Sequence, residues 1–188
     1  MKLIGSYQIN LEKQKVWEAL NDPEILKKSI PGCEEFKKNS ETEFTAIATN
    51  KIGPFNASFT GNIELKDLNP PNSYKITGSG NSSVGFATGE AFVALEDCDG
   101  GTKLTYTVEA NVGGKIAQVG SRLIDMTAKK MADIFFGKFS ELISTTLETD
   151  KVQKLTEHKI PREKKSIKNS LIIASVAIII GIIIYSLN

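Results

Sequence analysis

Apolar and polar residues alternate most cleanly just after Pro54. Phe55, Ala57, Phe59, Gly61, Ile63 and Leu65 fall on one side, and Asn56, Ser58, Thr60, Asn62, Glu64 and Lys66 on the other. A period of two with one apolar side predicts a half-buried antiparallel strand. Shorter or looser versions of the pattern predict strands over residues 2–10, 36–38, 43–50, 73–79, 84–96 and 102–111. In the last of these, Leu104, Tyr106, Val108 and Ala110 share a face. Residues 11–20 suit a short helix with Asn10 as its cap, and Asp22-Pro23 opens a second through about Lys28. Ile30-Pro31-Gly32 is a break, Asn69-Pro70-Pro71-Asn72 a turn, and Asp97-Cys98-Asp99-Gly100-Gly101 a hairpin connection.

From Lys115 to about Leu147 the period changes to 3.6, with Ile116, Val119, Leu123, Met131, Ile134, Phe135, Leu142 and Ile143 in one stripe. Those 33 residues span about 50 Å as a helix, with Gly120 and Gly137 as weak points. One helix cannot cover both faces of seven strands. An α+β fold solves this by wrapping a curved antiparallel sheet of about seven strands round the helix. A gap left between sheet and helix, lined by Phe and Ile, is a pocket for an apolar ligand.

The end of the chain changes the picture. From Asn169 to Asn188 no residue is charged, and Leu171 to Leu187 reads LIIASVAIIIGIIIYSL. Seventeen helical residues reach about 25 Å, the short end of a membrane span. Residues 170–188 are therefore expected to form a single C-terminal transmembrane anchor, behind a basic linker at 151–169 and a folded body at 1–150. The linker holds seven basic and two acidic residues, and the positive-inside rule puts the body on the cytoplasmic face. Basic side chains there should also attract anionic head groups. The overall charge of +1 conceals a body of net −4 and a linker of net +5. An acidic body argues against a nucleic-acid partner.

Candidate chemistry is sparse. The single histidine, His158, lies in the linker, where a catalytic base lacks orienting partners. Cys33 and Cys98 are far apart in sequence with no histidine in the body, so no metal site, covalently bound cofactor or catalytic residue is expected. Gly78, Gly80 and Gly85 fit no dinucleotide fingerprint and suit strand bends. Glu90 on a cavity-side strand, and Lys115 and Arg122 near a pocket mouth, are the polar residues left without an assigned role.

Several motifs carry a family resemblance: Val16-Trp17-Glu18-Ala19-Leu20 before Asp22-Pro23, and Ser29-Ile30-Pro31-Gly32-Cys33. Gly89, Gly101-Thr102-Lys103-Leu104-Thr105-Tyr106, and Gly113-Gly114-Lys115-Ile116-Ala117-Gln118 running on to Asp133-Ile134-Phe135-Phe136 complete the set. Over residues 1–148 the chain resembles the START-like (SRPBCC) helix-grip superfamily, and within it the family of CoxG, a carbon monoxide dehydrogenase subunit. The resemblance implies a non-catalytic accessory protein that recruits a molybdenum hydroxylase to the membrane, with a quinone or other lipid in its pocket. Strand faces and the start of the long helix then give the expected lining: Phe55, Phe59, Tyr106, Ile116, Leu123 and Ile124. Phe92 is added from a strand whose inward face the pattern leaves ambiguous. The alternatives are a lipid-transfer protein tethered to one membrane and a cyclase or hydrolase of the same fold, which needs titratable side chains converging in the pocket.

Overall fold

The alternating segments join into one sheet. The computed structural model describes residues 1–156. The chain runs β1 (Lys2–Ile9), α1 (Lys13–Ala19), α2 (Pro23–Ser29), β2 (Cys33–Lys38), β3 (Glu43–Ile52), β4 (Phe55–Asn69), β5 (Ser73–Ser82), β6 (Gly85–Cys98) and β7 (Gly101–Gly114). A 3-10 turn at Lys115–Val119 then leads into α3 (Ser121–Thr156). The spatial order is β1-β7-β6-β5-β4-β3-β2, with every neighbouring pair antiparallel. Strands β2 to β7 form successive hairpins. The first strand pairs instead with the last, Lys2 opposite Glu109 and Ile9 opposite Thr102. The two short helices therefore carry the chain from one edge of the sheet to the other.

Along β4 the pattern is realised residue by residue: Ala57, Phe59, Gly61, Ile63 and Leu65 are buried and their neighbours exposed. The facing residues of β3 are Ala48, Ala46 and Phe44, opposite Phe59, Gly61 and Ile63. Each large side chain buried this way contributes about 1.5–3 kcal/mol. Trp17 of α1 meets Tyr74 of β5 edge-on at 5.3 Å, closing the core under the crossover.

Local signals set the crossover. The Asp22 carboxylate accepts from the backbone N–H of Glu24 at 2.8 Å and of Ile25 at 3.3 Å, capping α2 behind Pro23. Asn10 does not cap α1. The helix begins after Glu12, which makes no side-chain cap bond. The Thr102 hydroxyl, donating to the Leu11 carbonyl at 2.6 Å, holds residues 10–11 against the start of β7, so the helix starts later than the pattern suggests. After α2 the Ile-Pro-Gly break turns the chain into β2. Gly32 has φ +69°, and a Cβ there would strike the Thr49 carbonyl oxygen. The Thr49 N–H donates to the Gly32 carbonyl at 3.0 Å, and the Asn50 amide to that of Pro31 at 3.2 Å. That motif is a corner stitched to β3.

The long helical element departs from expectation in two ways. It breaks at Gly120, φ +93°, which separates the 3-10 turn from α3. The break resets the helical phase, so the buried stripe of α3 is Ile124, Thr127, Ala128, Met131, Ala132, Phe135, Phe136, Phe139 and Ile143. Leu123, assigned to the stripe on the assumption of one continuous helix, is 39% exposed. The helix also runs past Leu147 to Thr156, because no glycine or proline lies between residues 138 and 156. Its first six residues beyond 150 enter the expected linker. The helix packs on α2 and on β1. Among the described residues no helix is long and apolar enough to cross a membrane. The expected anchor at 170–188 and His158 lie outside the described residues.

Candidate ligand face and its polar clasp

The inner face of the sheet is built from alternate strand positions. Tyr7 and Ile9 come from β1, Leu104, Tyr106 and Val108 from β7, and Phe59 and Ile63 from β4. Five of the seven expected lining residues point into this interior or its margin. Phe59, Tyr106, Ile116 and Ile124 are buried, and Phe55 at the start of β4 is half-buried. Phe92 is not among them. The inward residues of β6 are Ala87, Ala91, Val93 and Leu95, and Phe92 stands 47% exposed on the outer face, between Thr107 and Lys75. Glu90, two positions earlier, also points outward. It lines an outer-face depression of about 580 Å³ beside the Lys2–Glu109 ion pair (2.9 Å), and so does not enter the interior. Leu123 sits at the rim, with its Cδ2 3.7 Å from where a Gly53 Cβ would be.

Phe59 and Ile116 retain no water-accessible surface. Neither borders a space that a water molecule could fill. The apolar interior is thus closed at these positions. A small opening of about 250 Å³ lies at its edge, between Met1, Ala110, Val112, Ala117, Ile124 and Asp125.

One polar cluster interrupts the apolar face. The Tyr7 hydroxyl on β1 donates to the Asp133 carboxylate on α3. Phe136, one turn on, stacks on Tyr7 at 4.0 Å and on Tyr106 at 5.7 Å. Burial pushes the Tyr7 hydroxyl well above the ordinary phenol range, and the bond to Asp133 pushes it further. Burial and then the Asp133 charge raise Tyr106 in the same direction. Phenols shifted this way stay protonated at neutral pH, so they donate hydrogen bonds and do not act as bases. The cluster clasps edge strand to helix across 126 residues of sequence. Tyr7, Asp133 and Phe136 do not stand out as site residues in the sequence. The inward parity of Tyr7 on β1 and the i, i+3 spacing of Asp133 and Phe136 are the available signals.

Elsewhere, Cys33 and Cys98 are free thiols, and burial pushes the Cys33 thiol up to about 11. Lys115 and Arg122 are exposed. Among the described residues no group of three or more His, Cys, Asp and Glu side chains is placed to hold a metal ion.

Residues 5–144 match the family model for CoxG, described as a subunit of carbon monoxide dehydrogenase. Among solved structures, a conserved protein from Geobacillus kaustophilus is 33% identical, with a TM-score of 0.74 over 78% of this chain and 97% of its own. A Thermus thermophilus protein matches at 11% identity and TM-score 0.60, over 78% of this chain and 99% of its own. A Mycobacterium smegmatis protein matches at 18% and 0.59, over 77% and 92%. The last two identities speak for the fold alone. No curated protein matches the sequence.

Proposed function

The chain belongs to the CoxG family of carbon monoxide dehydrogenase subunits, and on that premise we propose that it is a membrane-anchored, non-catalytic accessory protein. It holds a quinone or other lipid between sheet and α3, and it recruits a molybdenum hydroxylase related to carbon monoxide dehydrogenase. The family match over residues 5–144 carries this reading. The uncharged run from Asn169 to Asn188 behind seven basic residues supports the anchor and a cytoplasmic body.

The packing at Phe59 and Ile116 constrains how a ligand is held. Both are fully buried, so an isoprenoid chain reaches past them only if α3 and the sheet separate. Gly120, between the 3-10 turn and α3, is the natural hinge. The Tyr7–Asp133 bond resists that separation, and its phenol becomes free to donate to a ligand carbonyl once the helix lifts. Affinity then comes from summed apolar burial, about 25 cal/mol per Å², with no single essential residue.

The test is to purify the full chain natively, extract it with organic solvent and identify what is released. A quinone supports the reading, and a phospholipid favours the tethered lipid-transfer alternative. Release of nothing, together with no molybdenum hydroxylase co-purifying, refutes it. Deleting residues 170–188 should leave a folded body that a wash in ~1 M salt releases from membranes; a body that stays in the membrane fraction after that wash refutes the anchor.

A further inference from the structure

Exposed large apolar side chains gather in two places. Ile4, Phe86 and Phe92 stand on the outer face of the sheet, Ile4 and Phe92 either side of Thr107. Leu123 and Met126 stand on the first turns of α3, 39% and 64% exposed. The second place has a charged setting. Leu123 and Met126 are three apart and share a helix face. Arg122 lies four before Met126, and Lys129 and Lys130 lie three and four after it, so basic side chains bracket the apolar pair. The β3–β4 turn adds to the same surface, because Gly53 abuts Leu123 and Val119, and Pro54 and Lys51 beside it are exposed.

Among the described residues none of Lys51, Lys115, Arg122, Lys129 and Lys130 is ion-paired, which leaves their charges available to a partner surface. Between residues 115 and 130 there are four basic residues and one acid, Asp125, on a body whose net charge is negative. Unpaired cations around exposed Leu and Met are the pattern of a surface that lies on anionic lipid.

We propose that this start of α3, with the β3–β4 turn, seats the body on an anionic bilayer surface. Each basic side chain brought to such a surface strengthens association about fivefold, and the apolar pair enters the head-group boundary. An acidic protein surface would satisfy the charges, but the apolar tail of this chain favours the bilayer. The tether reaches. From Leu123 to Thr156 the helix runs about 50 Å, and residues 157–170 span at most about 50 Å when extended. The inference shares only the bilayer with the proposed function and does not depend on a bound ligand.

The experiment uses the full chain carrying Met126→Trp, with Ile4→Trp as the control on the outer face. The native Trp17 is buried and constant, so spectra are read against the parent. The probes are vesicles of phosphatidylcholine alone, and of phosphatidylcholine with phosphatidylglycerol. The expected result is a blue-shifted indole at 126, quenched by brominated acyl chains, only with phosphatidylglycerol. The shift should be lost at ~1 M salt, where the screening length falls to about 3 Å. Arg122→Glu with Lys129→Glu should abolish it. If the chain pellets with vesicles while the indole at 126 keeps its emission in water, the seat is overturned and the anchor stands. The seat is also overturned if the indoles at 4 and 126 shift alike, or if the one at 126 shifts only on adding an acidic protein. Pelleting that needs phosphatidylglycerol and vanishes in salt supports the seat and overturns the anchor. No pelleting at all overturns both.

Discussion

Gly5 tests the clasp most directly. It lies opposite Tyr106 in the β1–β7 register and faces inward. A Cβ at this position would stand 2.7 Å from Tyr106 Cε1 and closer still to Cζ and Oη. Real Cβ atoms essentially never come within 3.0 Å of such neighbours, so Gly5→Ala forces the ring to move. The ring has little freedom to do so: it is 4% exposed and stacked with Phe136 at 5.7 Å and Tyr7 at 6.2 Å. Overpacking of this kind costs about 1–3 kcal/mol. Alanine also restricts the unfolded chain, which returns about 0.4–1 kcal/mol. The net expectation is a loss of about 1–2 kcal/mol, or roughly 0.5–1 M in the urea midpoint. The assay is urea unfolding of the full chain in a mild detergent, followed by the emission of buried Trp17. In a Tyr106→Ala background the added methyl has room, so Gly5→Ala should then cost nothing or stabilise. An unchanged midpoint in the single variant, or an equal loss in both backgrounds, refutes the steric account.

Asp22→Ala removes the acceptor for two N–H groups of α2 and should cost about 1 kcal/mol in the same unfolding assay, with Asp22→Asn recovering most of it. Alkaline pH should destabilise the fold, because Tyr7, Tyr106 and Cys33 are all shifted upward by burial. The unfolded chain then loses these protons first, so their contribution is complete below pH ~9 and fades above it, first through the thiol and then through the phenols. Urea midpoints measured across this range should fall, and Tyr7→Phe should flatten the steepest part. With its thiol pushed up to about 11, Cys33 should react with a thiol reagent at pH ~8 far more slowly than a free cysteine in a peptide, a rate that mass spectrometry of the labelled peptides reads directly.

What the sequence revealed tracks how local each determinant is. The β4 alternation and the Asp22-Pro23 start of α2 depend on neighbours within a few residues, and both are realised in the structure. The phase of α3 depends on the backbone at one residue. Gly120 at φ +93° moves Ile124 inward and turns Leu123 out, which periodicity carried across the break cannot register. The inward face of β6 depends on what packs there. The inner positions of β6 hold the small residues Ala87 and Ala91 as well as Val93 and Leu95, while Phe86 and Phe92 take the outer face. Ranking positions by side-chain size therefore selects the wrong side of that strand. The clasp needs Tyr7 and Asp133 brought together from 126 residues apart, and only the pairing of β1 with β7 under α3 does this.

The two surfaces proposed for function meet at Gly120. Under the proposed function a ligand reaches past the packed Phe59 and Ile116 only when α3 moves, and Gly120 and the Tyr7–Asp133 pair are the residues proposed to control that movement. Leu123, displaced from the interior by the break at Gly120, joins Met126 and the unpaired cations on the outside. Gly120 thus assigns one apolar residue to each surface, Ile124 to the interior and Leu123 to the exterior. Gly120→Ala, strained at φ +93°, should therefore perturb the α3 start as well as the interior. A readout at residue 126 and a readout of bound lipid should change together in that variant, whereas Leu123→Ser should change the first alone.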